Sequence, residues 1–186
     1  MAVGDVNSSE RGSGARYNDG KPDLSLIPLD IIARSFDGWA PFVSRDIGAS
    51  LTALGKFQRT GEVKQLDDAI ALVRGYWTDC AQVFEYGKKK YAAWNWAKGM
   101  AWSIPLACAA RHAVKVLYLE EEYDAESGQR HAGHYLANLV MLRTFIDTFP
   151  EGNDLPPPEF FRSTRPVSRV EAMDEILQRS VSEEDN

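Results

Sequence analysis

The stretch that decides the fold is His131-Ala-Gly-His134-Tyr-Leu-Ala-Asn138-Leu-Val-Met141-Leu-Arg-Thr-Phe145-Ile-Asp-Thr148. At roughly 100° per residue, His131, His134 and Asn138 fall within about 60° of one another, and Met141 and Phe145 continue that stripe. A helix from about Gln129 to Thr148 therefore turns its polar start and its apolar end the same way, inward. No segment elsewhere alternates apolar and polar residues as a half-buried strand would, and no repeat is present. The expectation is an all-α fold with four or five core helices.

Immediately upstream lies Glu121-Glu-Tyr-Asp124-Ala-Glu-Ser127-Gly128. All three histidines of the chain, His112, His131 and His134, lie at or near this acidic run. If the run is helical, the i, i+3 spacing sets Glu121 and Asp124 on one edge, as a pair of hard oxygen ligands for Mg2+ or Mn2+. The commoner reading of such a pair is a solvated helix end. Two histidines and Asn138 on one inward stripe suit metal ligation, acid-base work or phosphate binding, against the plainer reading of a satisfied core histidine.

Working outward, Ser103 reads as the cap of an Ala-rich helix that runs to about Glu120, with Pro105 in its first turn and Arg111 and His112 in its middle. Before it, Tyr91–Trp102 is a short aromatic linker that carries Trp94, Asn95, Trp96 and Trp102. A longer helix is expected from about Asp67 to Tyr86, with stripe Ile70, Val73, Trp77, Ala81 and Phe84, and Gly87 as its C-cap. Glu85 near its end is a third candidate carboxylate. Val43, Ile47, Leu51 and Leu54 mark an earlier amphipathic helix, ended by Gly55 or Gly61. The Arg16-Tyr-Asn-Asp-Gly20-Lys21-Pro22 run is a turn signal. Arg16 and Lys21 read either as a solvated basic loop or as a phosphate clamp.

Residues 1–14 are small and polar and are expected to be a disordered tail. Residues 15–150 form the domain. Beyond Pro156-Pro157-Pro158, residues 151–186 read as a Pro-rich linker, a short helix around Val170, Met173, Ile176 and Leu177, and an acidic tail. The net charge of −6 argues against a protein built to grip nucleic acid. Cys80 and Cys108 have no CxxC spacing and read as buried reduced thiols. No apolar run approaches a membrane span and no signal peptide is evident, so a cytoplasmic location is expected. HExxH, Walker and GxSxG motifs and the His-Asp dipeptide of HD phosphohydrolases are absent from the sequence.

Taken in order, the motifs Arg16-Tyr-Asn-Asp-Gly20-Lys21-Pro22, Phe84-Glu85-Tyr-Gly87-Lys-Lys-Lys90-Tyr91, Asn95-Trp96, Lys98-Gly99-Met100, Arg111-His112 and Asp124-Ala-Glu-Ser127-Gly128-Gln-Arg-His131-Ala-Gly-His134-Tyr-Leu-Ala-Asn138 resemble the phage dATP/dGTP diphosphohydrolase family. That family includes MazZ-type proteins and is similar to the MazG all-α NTP pyrophosphohydrolases. The resemblance spans about residues 14–148, with 37–75 standing as an insertion. It implies cleavage of a purine deoxynucleoside triphosphate between the α and β phosphates, giving monophosphate and pyrophosphate. In some phages this feeds a genome carrying 2-aminoadenine.

The resemblance further implies Mg2+ or Mn2+ held by Glu85, Glu121 and Asp124, with His131 and His134 also catalytic. Arg16, Lys21, Lys90, Asn95, Trp96, Arg111, His112 and Asn138 would bind substrate: cations on the phosphates, Trp96 stacked on the purine, Asn95 at its edge. A homo-oligomer, dimer or tetramer, is implied as well. One departure stands out. MazG-like enzymes carry EExxE on one helix, whereas this chain offers only Glu120-Glu121-x-x-Asp124 and a lone Glu85. Either histidines replace part of the carboxylate set or the metal site is built differently. A nucleotide-sequestering module and a purely structural role are the alternatives to an enzyme.

Overall fold

A computed structural model describes residues 2–18, 20–36 and 42–161. Among these residues are six α-helices: α1 (Leu29–Arg34), α2 (Phe42–Thr60), α3 (Val63–Leu72), α4 (Trp77–Tyr91), α5 (Ser103–Tyr118) and α6 (His131–Thr148). The only strands among the described residues, β1 (Ala2–Val3) and β2 (Arg16–Tyr17), pair antiparallel over two residues each. The all-α expectation holds. The expected helix around Val170–Leu177 lies outside the described residues, as does the side chain of Val43.

The helix α6 is apolar on nearly every side, so it can be satisfied only at the centre of the molecule. It packs against α5, α4 and α3, and Tyr135, Leu136, Leu139, Leu142 and Phe145 are fully buried. Small residues set how closely its neighbours approach. A Cβ on Gly133 would sit 2.7 Å from the backbone of Asp79 on α4, and Ala109, Ala110 and Ala113 present the facing side of α5 with no exposed area. Inside this packing the hydroxyl of Tyr135 meets Ser50 Oγ at 3.0 Å, and Ser50 donates to the Ala69 carbonyl at 2.7 Å. Segment 37–75 supplies α2 and α3, whose Ile47, Leu51, Leu54, Phe57 and Leu66 are core residues.

Several expectations are corrected. The long helix over 67–86 is two helices broken by a 3-10 turn at Arg74–Tyr76. The break resets the helical phase, so Trp77 and Ala81 are exposed while Cys80 and Val83 are buried. Gly87 lies inside α4, which continues to Tyr91 and stops where Ala92 turns to φ 82°. In α2, Gly61 is the terminator, at φ +71°, while Gly55 sits mid-helix because any Cβ there would strike the Asp30 backbone at 2.2 Å. Ser103 does not cap α5; Asp154 does, accepting from Ser103 N at 2.8 Å and from its hydroxyl.

Residues 4–14, read as a disordered tail, are instead hydrogen-bonded onto the segment before α5. Gly12 N donates to Lys98 O and Gly14 N to Gly99 O. Lys98 Nζ in turn donates to the carbonyls of Asp5 and Ser8. Composition misses this because the bonds are backbone-mediated, and small polar residues make them as well as any others. Cys80 and Cys108 are free and buried as expected, and burial pushes the Cys80 thiol up to about 12.

Candidate functional site

The packing of α5 on α6 brings all three histidines together. His112 lies halfway along α5 and His131 and His134 in the first turn of α6. The rings of His112 and His134 stack with centroids 4.5 Å apart and planes 12° from parallel; His112 and His131 lie 5.0 Å apart. The Nδ1 atoms of His112 and His131 face each other at 2.8 Å. His131 has no exposed surface, and its Nε2 has no hydrogen-bond partner; Glu121 Oε2 stands 3.5 Å from it.

Burial depresses the basicity of all three rings. It holds His112 well below the usual imidazole range, lowers His131, and takes His134 down to about 4. At neutral pH the cluster offers lone pairs rather than positive charge.

The acidic run closes over this cluster, but not as a helix. Residues 119–130 form a tight hairpin: Glu120 takes φ 54°, Tyr123 bridges to Arg130, and Gly128 turns at φ +68°. The Glu121–Asp124 spacing is therefore not a helical edge. The two carboxylates go to different places. Asp124 Oδ1 accepts from Ser127 N at 2.9 Å and from Ser127 Oγ at 3.0 Å. Burial pushes its carboxyl up, yet these bonds hold it below the usual range. Glu121 pairs with Lys115, whose hydrogen bond lowers its pKa.

Among the described residues, His112, Asp124 and His131 form the group able to hold a metal ion, with candidate ligand atoms all within 4.8 Å of one another. Of the three expected carboxylate ligands only Asp124 belongs to it. Glu85 is exposed on α4 and lies 3.6 Å from Lys89. The donor set fits a divalent ion: two neutral imidazoles and one carboxylate, partly buried, with Glu121 behind one ring as an orienting carboxylate.

Ser127, His134 and Asp124 also meet, with Ser127 Oγ 2.7 Å from His134 Nε2. However, Asp124 bonds the serine rather than the second ring nitrogen, so it does not orient the imidazole as a catalytic triad requires. The three residues brace the hairpin against α6.

Above the histidines opens a cavity of about 730 Å3, within the roughly 300–1,000 Å3 usual for small-molecule sites. His112, His134 and Asp124 line its floor, and Arg16, Lys21, Glu85, Lys90, Asn95, Trp96 and Arg111 line its walls. Asn138, Glu121 and His131 lie behind that lining.

Several expected substrate contacts have protein partners. Arg16 donates to Asn138 Oδ1 at 2.8 Å. Arg111 donates to the Pro22 carbonyl and to Asn18 Oδ1, both at 2.8 Å, and so ties the 18–22 turn to α5. Trp96 packs between Phe84 (centroids 5.1 Å) and Phe145 (6.4 Å). Lys21, in the turn before α1, and Lys90, near the end of α4, both reach Glu126, a carboxylate not among the expected site residues. Its hydrogen bond from Lys90 lowers the Glu126 carboxyl and raises the Lys90 ammonium.

Residues 64–155 match the family model described as dATP/dGTP diphosphohydrolase, N-terminal. The matched span contains every floor residue and the Glu85–Trp96 wall; the wall bearing Arg16 and Lys21 lies outside it. No curated protein and no solved structure gives a significant match. No helix among the described residues is long and apolar enough to cross a membrane.

Proposed function

Because the chain belongs, through residues 64–155, to the dATP/dGTP diphosphohydrolase family, we propose that it hydrolyses purine deoxynucleoside triphosphates to the monophosphate and pyrophosphate with a divalent metal ion. The observation that carries this reading is the meeting of His112, Asp124 and His131 under a cavity whose walls bring in Arg16, Lys21 and Lys90. The resemblance to phage proteins makes remodelling of a purine dNTP pool in a host cytoplasm the fitting role, and a dimer or tetramer the fitting assembly.

In this reading His112, Asp124 and His131 would hold the ion, and Glu121 would fix the ring of His131 from behind. A divalent ion there would supply positive charge against the polyphosphate and Lewis acidity toward water. Two imidazoles in the donor set favour Mn2+ over the oxygen-seeking Mg2+. The basic walls do the remaining electrostatic work. Lys21 and Lys90 bind the β and γ phosphates from opposite sides, and Arg16, aimed by Asn138, contributes a fixed guanidinium. Water attacks the α phosphorus, the bond to the bridging oxygen breaks, pyrophosphate leaves with that oxygen, and the proton lost by the water passes to solvent. The histidines stay neutral, so they add no fixed charge that would trap the product.

Incubation with each dNTP and Mn2+ or Mg2+, followed by chromatography, tests the proposal. Purine dNMP and pyrophosphate in equal amounts are expected. Release of free triphosphate or of a diphosphate would point to another hydrolase, and tight binding without turnover to a sequestering module.

A further inference from the structure

Trp94 stands apart from the other tryptophans described. It is 74% exposed and lines the cavity mouth, and its backbone is left-handed, at φ 60° and ψ 10°. For a bulky residue that conformation costs about 1–2 kcal/mol, and strain of this kind persists where the surroundings impose it. Two residues earlier Ala92 is also at positive φ, 82°. The chain thus holds a tryptophan outward, at some cost, beside a cavity whose lining also carries Phe84, Tyr86, Tyr91 and Trp96.

The neighbouring residues have other employment. Trp96 is clamped between Phe84 and Phe145 and serves as the base on which Trp94 rests, centroids 6.0 Å apart and planes at 41°. Asn95, only 5% exposed, lines the same cavity. Its Nδ2 donates to the Ala15 carbonyl at 3.4 Å, while its Oδ1 is buried with no hydrogen-bond partner. A buried acceptor left unpaired costs about 1–3 kcal/mol and awaits a donor.

We propose that Trp94, not Trp96, is the stacking platform for the base, and that Asn95 Oδ1 accepts a hydrogen bond from an N–H on its edge. Together they form a nucleobase subsite that favours purines over pyrimidines. The inference rests on the nucleotide reading above and specifies which residues set its selectivity. A purine presents two fused rings to the indole face and so gains more from stacking than a single pyrimidine ring. All four DNA bases carry an edge N–H, so Asn95 adds affinity and Trp94 the size preference.

The decisive variants are Trp94→Phe and Trp94→Gly. Glycine adopts the left-handed conformation without strain, so Trp94→Gly removes the platform while leaving the backbone where it is. Calorimetric titration with α,β-methylene dGTP and its dCTP counterpart, in Mn2+, measures affinity without turnover. Stacking contributes ~1–3 kcal/mol per base, so about a tenfold loss of affinity for the dGTP analogue is expected in Trp94→Gly. The loss for the dCTP analogue is smaller, and Trp94→Phe falls between. Trp77→Phe, a change at an exposed tryptophan outside the cavity, leaves both affinities unchanged.

Equal losses for the two analogues, or no loss in Trp94→Gly at unaltered thermal stability, overturn the proposal. So does a wild-type protein that binds neither. If the wild type binds the dGTP analogue selectively but converts no dNTP to monophosphate, the hydrolase reading falls while the platform stands.

Discussion

The floor and the rim of the cavity are built on opposite principles. The floor consists of His112 on α5 and His134 on α6, with His131 just behind them, all largely withdrawn from water, and of the part-buried Asp124 that the 119–130 hairpin sends down to them. The rim consists of the 15–22 loop, the 91–96 segment and the rest of the 119–130 hairpin. Its charges are exposed and paired across the opening, and three of its non-glycine residues, Ala92, Trp94 and Glu120, sit at positive φ. The floor is fixed by packing, so small changes there should cost much. The rim is held by screened ion pairs and turns, so changes there should act on binding while sparing the fold.

The largest expected effect is at the floor. Asp124→Asn keeps the shape and the capacity to accept from Ser127 but removes the only carboxylate of the His112–Asp124–His131 group. Turnover should fall at least about 100-fold, in line with the several kcal/mol a metal contributes to transition-state charge. Metal content after dialysis should fall with it. Full activity in Asp124→Asn would sink the metal assignment. Glu121→Gln should instead weaken metal affinity about 10–100-fold, the usual penalty for losing a carboxylate behind a ligating histidine.

Acid separates the two regions next. His134 binds a proton near pH 4 in the folded protein and near 6.5 when unfolded. Below pH 6.5 the unfolded chain therefore takes up the proton first, and stability falls as pH drops toward 4. Two and a half units correspond to on the order of 3 kcal/mol, and His112 and His131 act in the same direction. Glu121, Glu126 and Asp124 have lowered pKa values, so their contributions are present above the ordinary carboxylate range and lost only beneath it. Urea unfolding in EDTA should show a loss already between pH 6.5 and 5. A flat profile in that window would mean that the histidines are hydrated.

Gly133→Ala tests the floor by packing alone. The new Cβ would meet the Asp79 backbone at 2.7 Å, so α4 must shift away from α6. Overpacking of this kind costs about 1–3 kcal/mol. A lower denaturation midpoint is expected, together with a lower kcat, because the same glycine lies between His131 and His134.

This contrast also explains how much could be read from the sequence. The α6 stripe and the inward turn of His131, His134 and Asn138 follow from helical periodicity, and the structure has both; that His112 meets them depends on how α5 packs on α6. The ligand set did not follow. Glu121 and Asp124 look like a helical pair, yet Glu120 at φ 54° and Gly128 turn the chain into a hairpin that sends Asp124 to the histidines and Glu121 to Lys115. Glu126 was invisible because its role depends on Lys21 and Lys90, which lie far apart in the chain. The break at Arg74–Tyr76 was missed for a related reason: Ile70, Val73, Trp77, Ala81 and Phe84 keep an unbroken rhythm even though the backbone between them does not.

The smallest expected effect lies at the rim, in Glu126→Gln. Its carboxylate pairs with Lys21 and Lys90 and lies within reach of the Tyr86 hydroxyl at 3.5 Å, but all these groups are substantially exposed. Exposed ion pairs contribute at most about 1 kcal/mol, so thermal stability should shift by only a degree or two. Binding should move the other way. A polyphosphate entering between Lys21 and Lys90 must displace a carboxylate that already neutralises them, and the neutral amide competes less. The KM for dGTP should therefore fall by about threefold, with kcat little changed. The gain should shrink at high salt, where the pairs in wild type are already screened. A rise in KM would instead assign Glu126 an attractive role toward the substrate or its metal, making the rim part of the chemistry and removing the distinction between the two regions.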